Sequence, residues 1–381
     1  MSPATPATPT RARDLGIPFT GTPGRWNALT DVPGVAVGYT TLTDPEVPVR
    51  TGVTAILPRG RDGVGTACAA GWTSMNGNGE MTGTTWISES GALDMPVAIT
   101  NTHAVGTVHR GVIDWVVRAH PELTRKWLLP VVAETWDGRL NDINGDHVHP
   151  AHAGAALDAA AGGPVGEGSV GGGTGMVCYG WKGGSGTSSR TVRYGSSTYT
   201  VGAFVQANFG TWPELVIAGV PAGRLLADRP AGDAPGPGPG ESAAASAPGG
   251  AGSVIVIVGT DAPLLPGQCA ALARRVPVGL ARTGTSGSHF SGDIFLAFST
   301  ANAGALTSGF PEGEPTDDDY ETLRFVPWGR MDPFYAAVAE AVEESVLNAL
   351  VAAEDAIDLH GTPMRALPHA SVRDLLAART G

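Results

Sequence analysis

Apolar residues fall into short runs separated by Gly, Pro and Asn. One run, Val254-Ile255-Val256-Ile257-Val258, is β-branched throughout and lies between Gly252-Ser253 and Gly259-Thr260-Asp261-Ala262-Pro263. Such a run predicts a strand buried on both faces. A second, Ile294-Phe295-Leu296-Ala297-Phe298, follows Ser291-Gly292-Asp293. Further strands are predicted over 29–40, 53–58, 96–102, 128–138, 198–210, 215–220 and 276–281. Helical periodicity appears over 106–120, where Val108, Val112, Trp115 and Val116 share a face, and over 264–275, with Leu265, Cys269, Leu272 and Ala273 inward. A long helix opens at Asp332-Pro333 and runs to about 357, with Val338, Val342, Val346, Leu350 and Val351 on one stripe. A short helix closes the chain over 371–379.

Between these elements the pattern changes. Residues 1–22 read as a flexible arm. The stretch 68–83, with its repeated Asn-Gly pairs, reads as a connector of tight turns. Residues 228–252 are rich in Pro, Gly, Ala and Ser and cannot bury enough apolar surface to order themselves. Predicted core strands lie on both sides, so the segment is either a domain linker or an exposed junction within one domain.

The chain has 381 residues, enough for one large α/β domain or two smaller ones. A net charge of -12 argues against a nucleic-acid partner. Cys68, Cys178 and Cys269 show no paired spacing and read as buried free thiols. The N-terminus lacks the apolar core of a signal peptide, and no run is long enough to span a membrane. A cytoplasmic location is the expectation.

Ser253 stands where the unstructured segment meets the first residues of a core strand. A free N-terminal serine there carries a hydroxyl nucleophile and an α-amino base on one residue. Ser291 and Asp293 are two apart at another strand entry, hence on one side of an extended backbone. Glu134 emerges at a strand end, either as a solvated carboxylate or as part of a site. Asn208 is expected in the turn between two buried strands, either as a turn residue or as an amide donor to an oxyanion. His147, His149 and His152, with Asp146, match no zinc spacing and read as loop residues. The Gly-rich stretches 168–175 and 180–187 fail the phosphate-loop pattern, because Gly183 follows Lys182.

The stretches Val132-Ala133-Glu134-Thr135-Trp136-Asp137-Gly138, Val205-Gln206-Ala207-Asn208-Phe209-Gly210, Gly252-Ser253-Val254-Ile255-Val256 and Ser291-Gly292-Asp293-Ile294-Phe295 together resemble the family of the L-aminopeptidase/D-esterase and the β-peptidyl aminopeptidases. The resemblance implies a four-layer α/β/β/α sandwich like that of N-terminal-nucleophile hydrolases, with different strand connectivity. It implies one catalytic domain over 23–381 that cuts itself at Gly252-Ser253 into chains 23–252 and 253–381. It also implies a homo-oligomer, a tetramer of such pairs.

By the same resemblance Ser253 is the nucleophile, Ser291 and Asp293 orient and tune it, and Asn208 is the oxyanion amide. Glu134 binds the substrate's free amine, and Trp136 stands beside it where some members carry Tyr. The implied activity is a serine aminopeptidase acting on aminoacyl amides, esters or peptides, without metal or cofactor. Two rivals make different demands. A metal-dependent hydrolase would use the His147/His149/His152 cluster. A non-enzymatic small-molecule-binding protein would keep its chain whole.

Overall fold

The computed structural model describes residues 10–44, 46–226, 252–311 and 313–380. Of the segment 228–252, expected from the sequence to be unstructured, residues up to 251 lie outside the described residues, as do 1–9, whereas Gly252 is the first residue of a strand. In chain order the strands are β1 (Ala36–Asp44), β2 (Val49–Leu57), β3 (Cys68–Gly77), β4 (Ala92–Leu93), β5 (Val97–Asn101), β6 (Val131–Thr135), β7 (Val177–Cys178), β8 (Trp181–Lys182), β9 (Gly184–Tyr194), β10 (Ser197–Asn208), β11 (Gly252–Thr260) and β12 (Ser291–Ser299). The helices are α1 (Thr84–Ser90), α2 (Val105–Ala119), α3 (Pro150–Asp158), α4 (Ala222–Leu225), α5 (Pro266–Ala273), α6 (Val276–Arg282), α7 (Asp332–Val351) and α8 (His369–Thr380).

Two sheets stack face to face. One has the order β1-β2-β5-β6 and the other β4-β3-β12-β11-β10-β9. Three apolar layers result. Val108, Val112 and Trp115 of α2 and Ala156 and Leu157 of α3 cover the outer face of the first sheet. Ile56, Val97, Ile99 and Ala133 meet Phe204, Ile255, Ile257, Leu296 and Phe298 between the sheets. Cys269 and Leu272 of α5, Leu280 of α6 and Val338, Val342 and Val346 of α7 cover the outer face of the second. This is the α/β/β/α sandwich. The strand of β-branched residues sits at its centre: Val254, Val256 and Val258 face the helices, while Ile255 and Ile257 face the other sheet. Both faces are buried, so no alternation is visible in the sequence.

Several sequence expectations change. The arm is anchored from residue 10 onward: Ala12, Leu15 and Ile17 are buried, Arg11 pairs with Glu167 at 2.7 Å and Arg13 with Glu344 at 2.7 Å. Residues 276–281 form α6 rather than a strand. Pro277 suits a helix's first turn, and Gly279 lets α6 approach α7, where a Cβ would stand 2.6 Å from the Ala339 carbonyl. Residues 215–220 carry only an Ile217–Val220 bridge, because Ala218 and Gly219 both adopt positive φ and turn the chain. The long helix stops at Val351, and Ala356–Ile357 pairs with Pro363–Met364 instead. The supposed connector at 68–83 begins as the ten-residue strand β3, hydrogen-bonded to β12. All three cysteines are free and buried, as expected.

Candidate active site

The register around β11 brings the candidate residues together. Ser253 is opposite Asn208 of the antiparallel neighbour β10 and opposite Gly292 of the parallel neighbour β12. Ser291 and Asp293 therefore flank Ser253 across one inter-strand spacing. Ser253 is 2% exposed. Gly252 packs against β10 so closely that a Cβ would lie 2.1 Å from the Asn208 carbonyl oxygen. Only glycine fits between strand end and neighbour at the position before the serine.

Ser291 Oγ donates to Asp293 Oδ1 at 2.5 Å, and Asn76 Nδ2 donates to Asp293 Oδ2 at 2.7 Å. Burial pushes the Asp293 carboxyl above the ordinary range, while Ser291, Asn76 and the Val254 backbone N–H pull it back. Asn208 is held from both ends of its amide. Its Oδ1 accepts from Val177 N–H at 2.8 Å, and its Nδ2 donates to the Trp136 carbonyl at 2.7 Å. An amide nitrogen carries two hydrogens, so one donor remains for a developing negative charge.

Glu134 is the fourth residue of β6 and 1% exposed. Its Oε1 accepts from Glu80 N–H at 3.0 Å, and its Oε2 from the Thr102 hydroxyl. Burial raises its pKa; Thr102 and Glu80 oppose that rise. Gly79 joins this carboxylate to the strand entry, since a Cβ there would lie 2.9 Å from Gly292 Cα and 3.0 Å from Glu134 Oε1. Half-buried Trp136 lays its indole over Gly138, where a Cβ would stand 2.6 Å from the ring. A polar cavity of about 160 Å³ opens beside Ser291, lined also by Phe209, Thr211, Glu214, Thr285 and Ser288.

Two of the candidate histidines meet, the rings of His149 and His152 lying 5.4 Å apart. His152 Nδ1 accepts from His149 N–H at 3.0 Å at the start of α3, which caps the helix. Among the described residues no three His, Cys, Asp or Glu side chains stand close enough to hold a metal ion.

The sequence model of peptidase family S58 matches residues 27–363. This chain belongs to peptidase family S58. The S58 peptidase is 47% identical to the beta-peptidyl aminopeptidase BapA of Sphingosinicella microcystinivorans, over 96% of its own length and 91% of that protein. It is 43% identical to the protein of the same name from Sphingosinicella xenopeptidilytica, over 97% and 91%. The L-aminopeptidase D-Ala-esterase/amidase of Ochrobactrum anthropi has a structure described as a prototype for the serine aminopeptidases and a new variant of the Ntn hydrolase fold. It superposes with a TM-score of 0.85 at 42% identity, covering 97% of this chain and 99% of that one. A Burkholderia sp. beta-aminopeptidase gives 0.85 at 45% identity, with the same coverage. The S58 peptidase has this Ntn-type fold and is a serine aminopeptidase.

Sequence reasoning missed the end of β3 and the turn after it. Asn76 holds Asp293, Glu80 holds Glu134 through its N–H, and Asn78 Nδ2 binds the Phe290 carbonyl at 2.9 Å. The signal was present in the two Asn-Gly pairs, which ask for tight backbone rather than length. Thr102 was also missed; it is the last residue of a predicted strand and carries no local mark. Among the described residues no helix of the S58 peptidase is long and apolar enough to cross a membrane.

Proposed function

We propose that the chain cuts itself at Gly252-Ser253 and then hydrolyses short peptides, aminoacyl amides or esters that bear a free amino terminus. The observation that carries this reading is the register of β11: Ser253 opposite the tethered Asn208 amide on one side and beside the Ser291–Asp293 pair on the other. In the uncut chain Ser253 Oγ adds to the Gly252 carbonyl, the peptide nitrogen leaves as the α-amine, and water hydrolyses the resulting ester. The new α-amine has a reference pKa of about 7.7–8.0, which suits a general base near neutral pH. It takes the Oγ proton as Ser253 attacks the substrate carbonyl and returns a proton to the leaving amine or alcohol; water, deprotonated by the same amine, then cleaves the Ser253 ester and frees the carboxylic acid product. The free Asn208 hydrogen meets the oxyanion.

Glu134, as carboxylate, binds the substrate ammonium, and Trp136 forms the adjoining wall. β-Aminoacyl substrates stand first, because both curated relatives are beta-peptidyl aminopeptidases. A cytoplasmic tetramer of cleaved pairs belongs to the same reading. Trp127 and Phe310, 77% and 68% exposed and in edge-to-face contact at 5.9 Å, offer such an assembly an apolar surface. The test is turnover of β-alanyl and L-alanyl p-nitroanilides beside their N-acetylated forms, with and without EDTA. Hydrolysis of the free amines alone, indifferent to EDTA, is expected. Equal turnover of the acetylated forms, or loss with EDTA, would overturn it.

A further inference from the structure

Asp137 follows Trp136 directly, and its carboxyl group is 1% exposed. Burying a carboxyl group disfavours the fold relative to an apolar side chain, so its presence asks for a local reason. Two chains of contacts supply one.

The first runs to the oxyanion amide. The Asp137 carbonyl accepts from Leu140 and Asn141 N–H, both at 3.0 Å, which closes a turn immediately after Trp136. Asp137 Oδ1 accepts from Asn141 Nδ2 at 3.1 Å, and Asn141 Oδ1 accepts from Arg50 N–H at 3.2 Å on β2. The turn is thus pinned to the sheet, and with it the Trp136 carbonyl that holds Asn208 Nδ2 at 2.7 Å.

The second runs to the amine-binding carboxylate. Thr51 and Asn101 lie beside the Asp137 carboxyl, whose Oδ2 has no hydrogen-bond partner among the described residues, and Asn101 Nδ2 donates to Thr51 Oγ1 at 2.9 Å. Asn101 Oδ1 caps the following turn through His103 N–H at 3.1 Å and Ala104 N–H at 3.0 Å. That turn carries Thr102, whose hydroxyl holds Glu134. Asp137 is therefore bonded toward the Asn208 handle and packed beside the residues that lead to Glu134.

We infer that Asp137 is a positioning residue that fixes the Asn208 amide in register through the turn that carries the Trp136 carbonyl. The inference rests on the role proposed above for Asn208.

The test is a double-mutant cycle on the full chain, with kcat and KM for an aminoacyl p-nitroanilide measured per mole of cut protein. Variants are Asp137→Ala, Asp137→Asn, Asn208→Ala and the Asp137→Ala/Asn208→Ala double, each with its melting temperature. Asp137→Ala should lower kcat/KM about tenfold to a hundredfold, the range for sub-ångström to ångström misplacement of reacting groups. Asp137→Asn, which keeps an acceptor for Asn141, should recover most of it. In the Asn208→Ala background Asp137→Ala should change kcat/KM by less than about twofold. If Asp137→Ala does not fold, Asn141→Ala breaks the same contact and takes its place in the cycle. Additive losses in kcat/KM, or a lowered melting temperature with unchanged kinetics, would overturn the inference. An unchanged kcat in Asn208→Ala would instead remove the oxyanion role on which it stands.

Discussion

Ser291 Oγ lies 2.5 Å from Asp293 Oδ1, both buried at the start of β12 and level with Gly252 to Val254 on β11. The hydroxyl spends its hydrogen on the carboxylate, which leaves its lone pairs free to accept from a donor. An α-ammonium at Ser253 would be received there and its charge balanced by Asp293.

Asp293→Asn keeps the shape but removes the charge. It should lower kcat by about a hundredfold or more, the usual worth of a positioned acid–base group. Ser291→Ala should slow turnover in the same direction. Single-turnover rates of both variants, after any slow processing is complete, check this.

Glu134 gives the pH dependence a definite sign. Burial is the largest influence on it and raises its pKa; the Thr102 hydroxyl and Glu80 N–H work the other way. Only the ionised form attracts an ammonium group. KM should therefore rise as pH falls, beginning above the pH at which an ordinary glutamate protonates. Glu134→Gln should raise KM about tenfold or more and flatten this limb, while leaving the chain cut. A pH series of KM for both proteins is the check.

Gly252 is a steric prediction. Gly252→Ala places a Cβ 2.1 Å from the Asn208 carbonyl oxygen. The strand end must shift away from the oxyanion amide, so self-cleavage should slow markedly. A time course of chain cutting on denaturing gels reads this directly.

The N-terminal anchor has an energetic consequence. Buried Glu344 accepts from Arg13 at 2.7 Å, Arg190 at 2.8 Å and Asn27 at 2.6 Å. Burial alone would raise its pKa, and these partners overcome that and lower it. A depressed carboxyl pKa adds stability above the unfolded value of about 4.3 and loses it as pH falls through the folded value. Glu344→Gln should cost about 3–5 kcal/mol near neutral pH by leaving buried Arg190 only the more distant Glu340 carboxylate, at 3.6 Å, and less below about pH 4. Urea unfolding at the two pH values tests the difference.

The central strand and the two Ser/Asp positions were legible because a β-branched run and a strand entry are local facts. Glu134 and Asn208 were placed at strand ends for the same reason, but their partners were not. Asn76, Glu80 and Thr102 reach the site only through the pairing of β3 with β12 and of β5 with β6, and pairing is not written in local periodicity. The α6 helix was misread because Val-Pro-Val-Gly-Leu carries β-branched residues, whereas packing against α7 decides its state. The anchored arm was missed because Arg11 and Arg13 find their carboxylates more than 150 residues away.

The most direct measurement is the intact mass and N-terminal sequence of the purified protein beside Ser253→Ala. The account predicts two chains in the wild type, the shorter beginning at Ser253, and one uncut chain in the variant. A wild-type chain that stays whole yet hydrolyses aminoacyl amides, or a Ser253→Ala chain that is cut at the same bond, would contradict it.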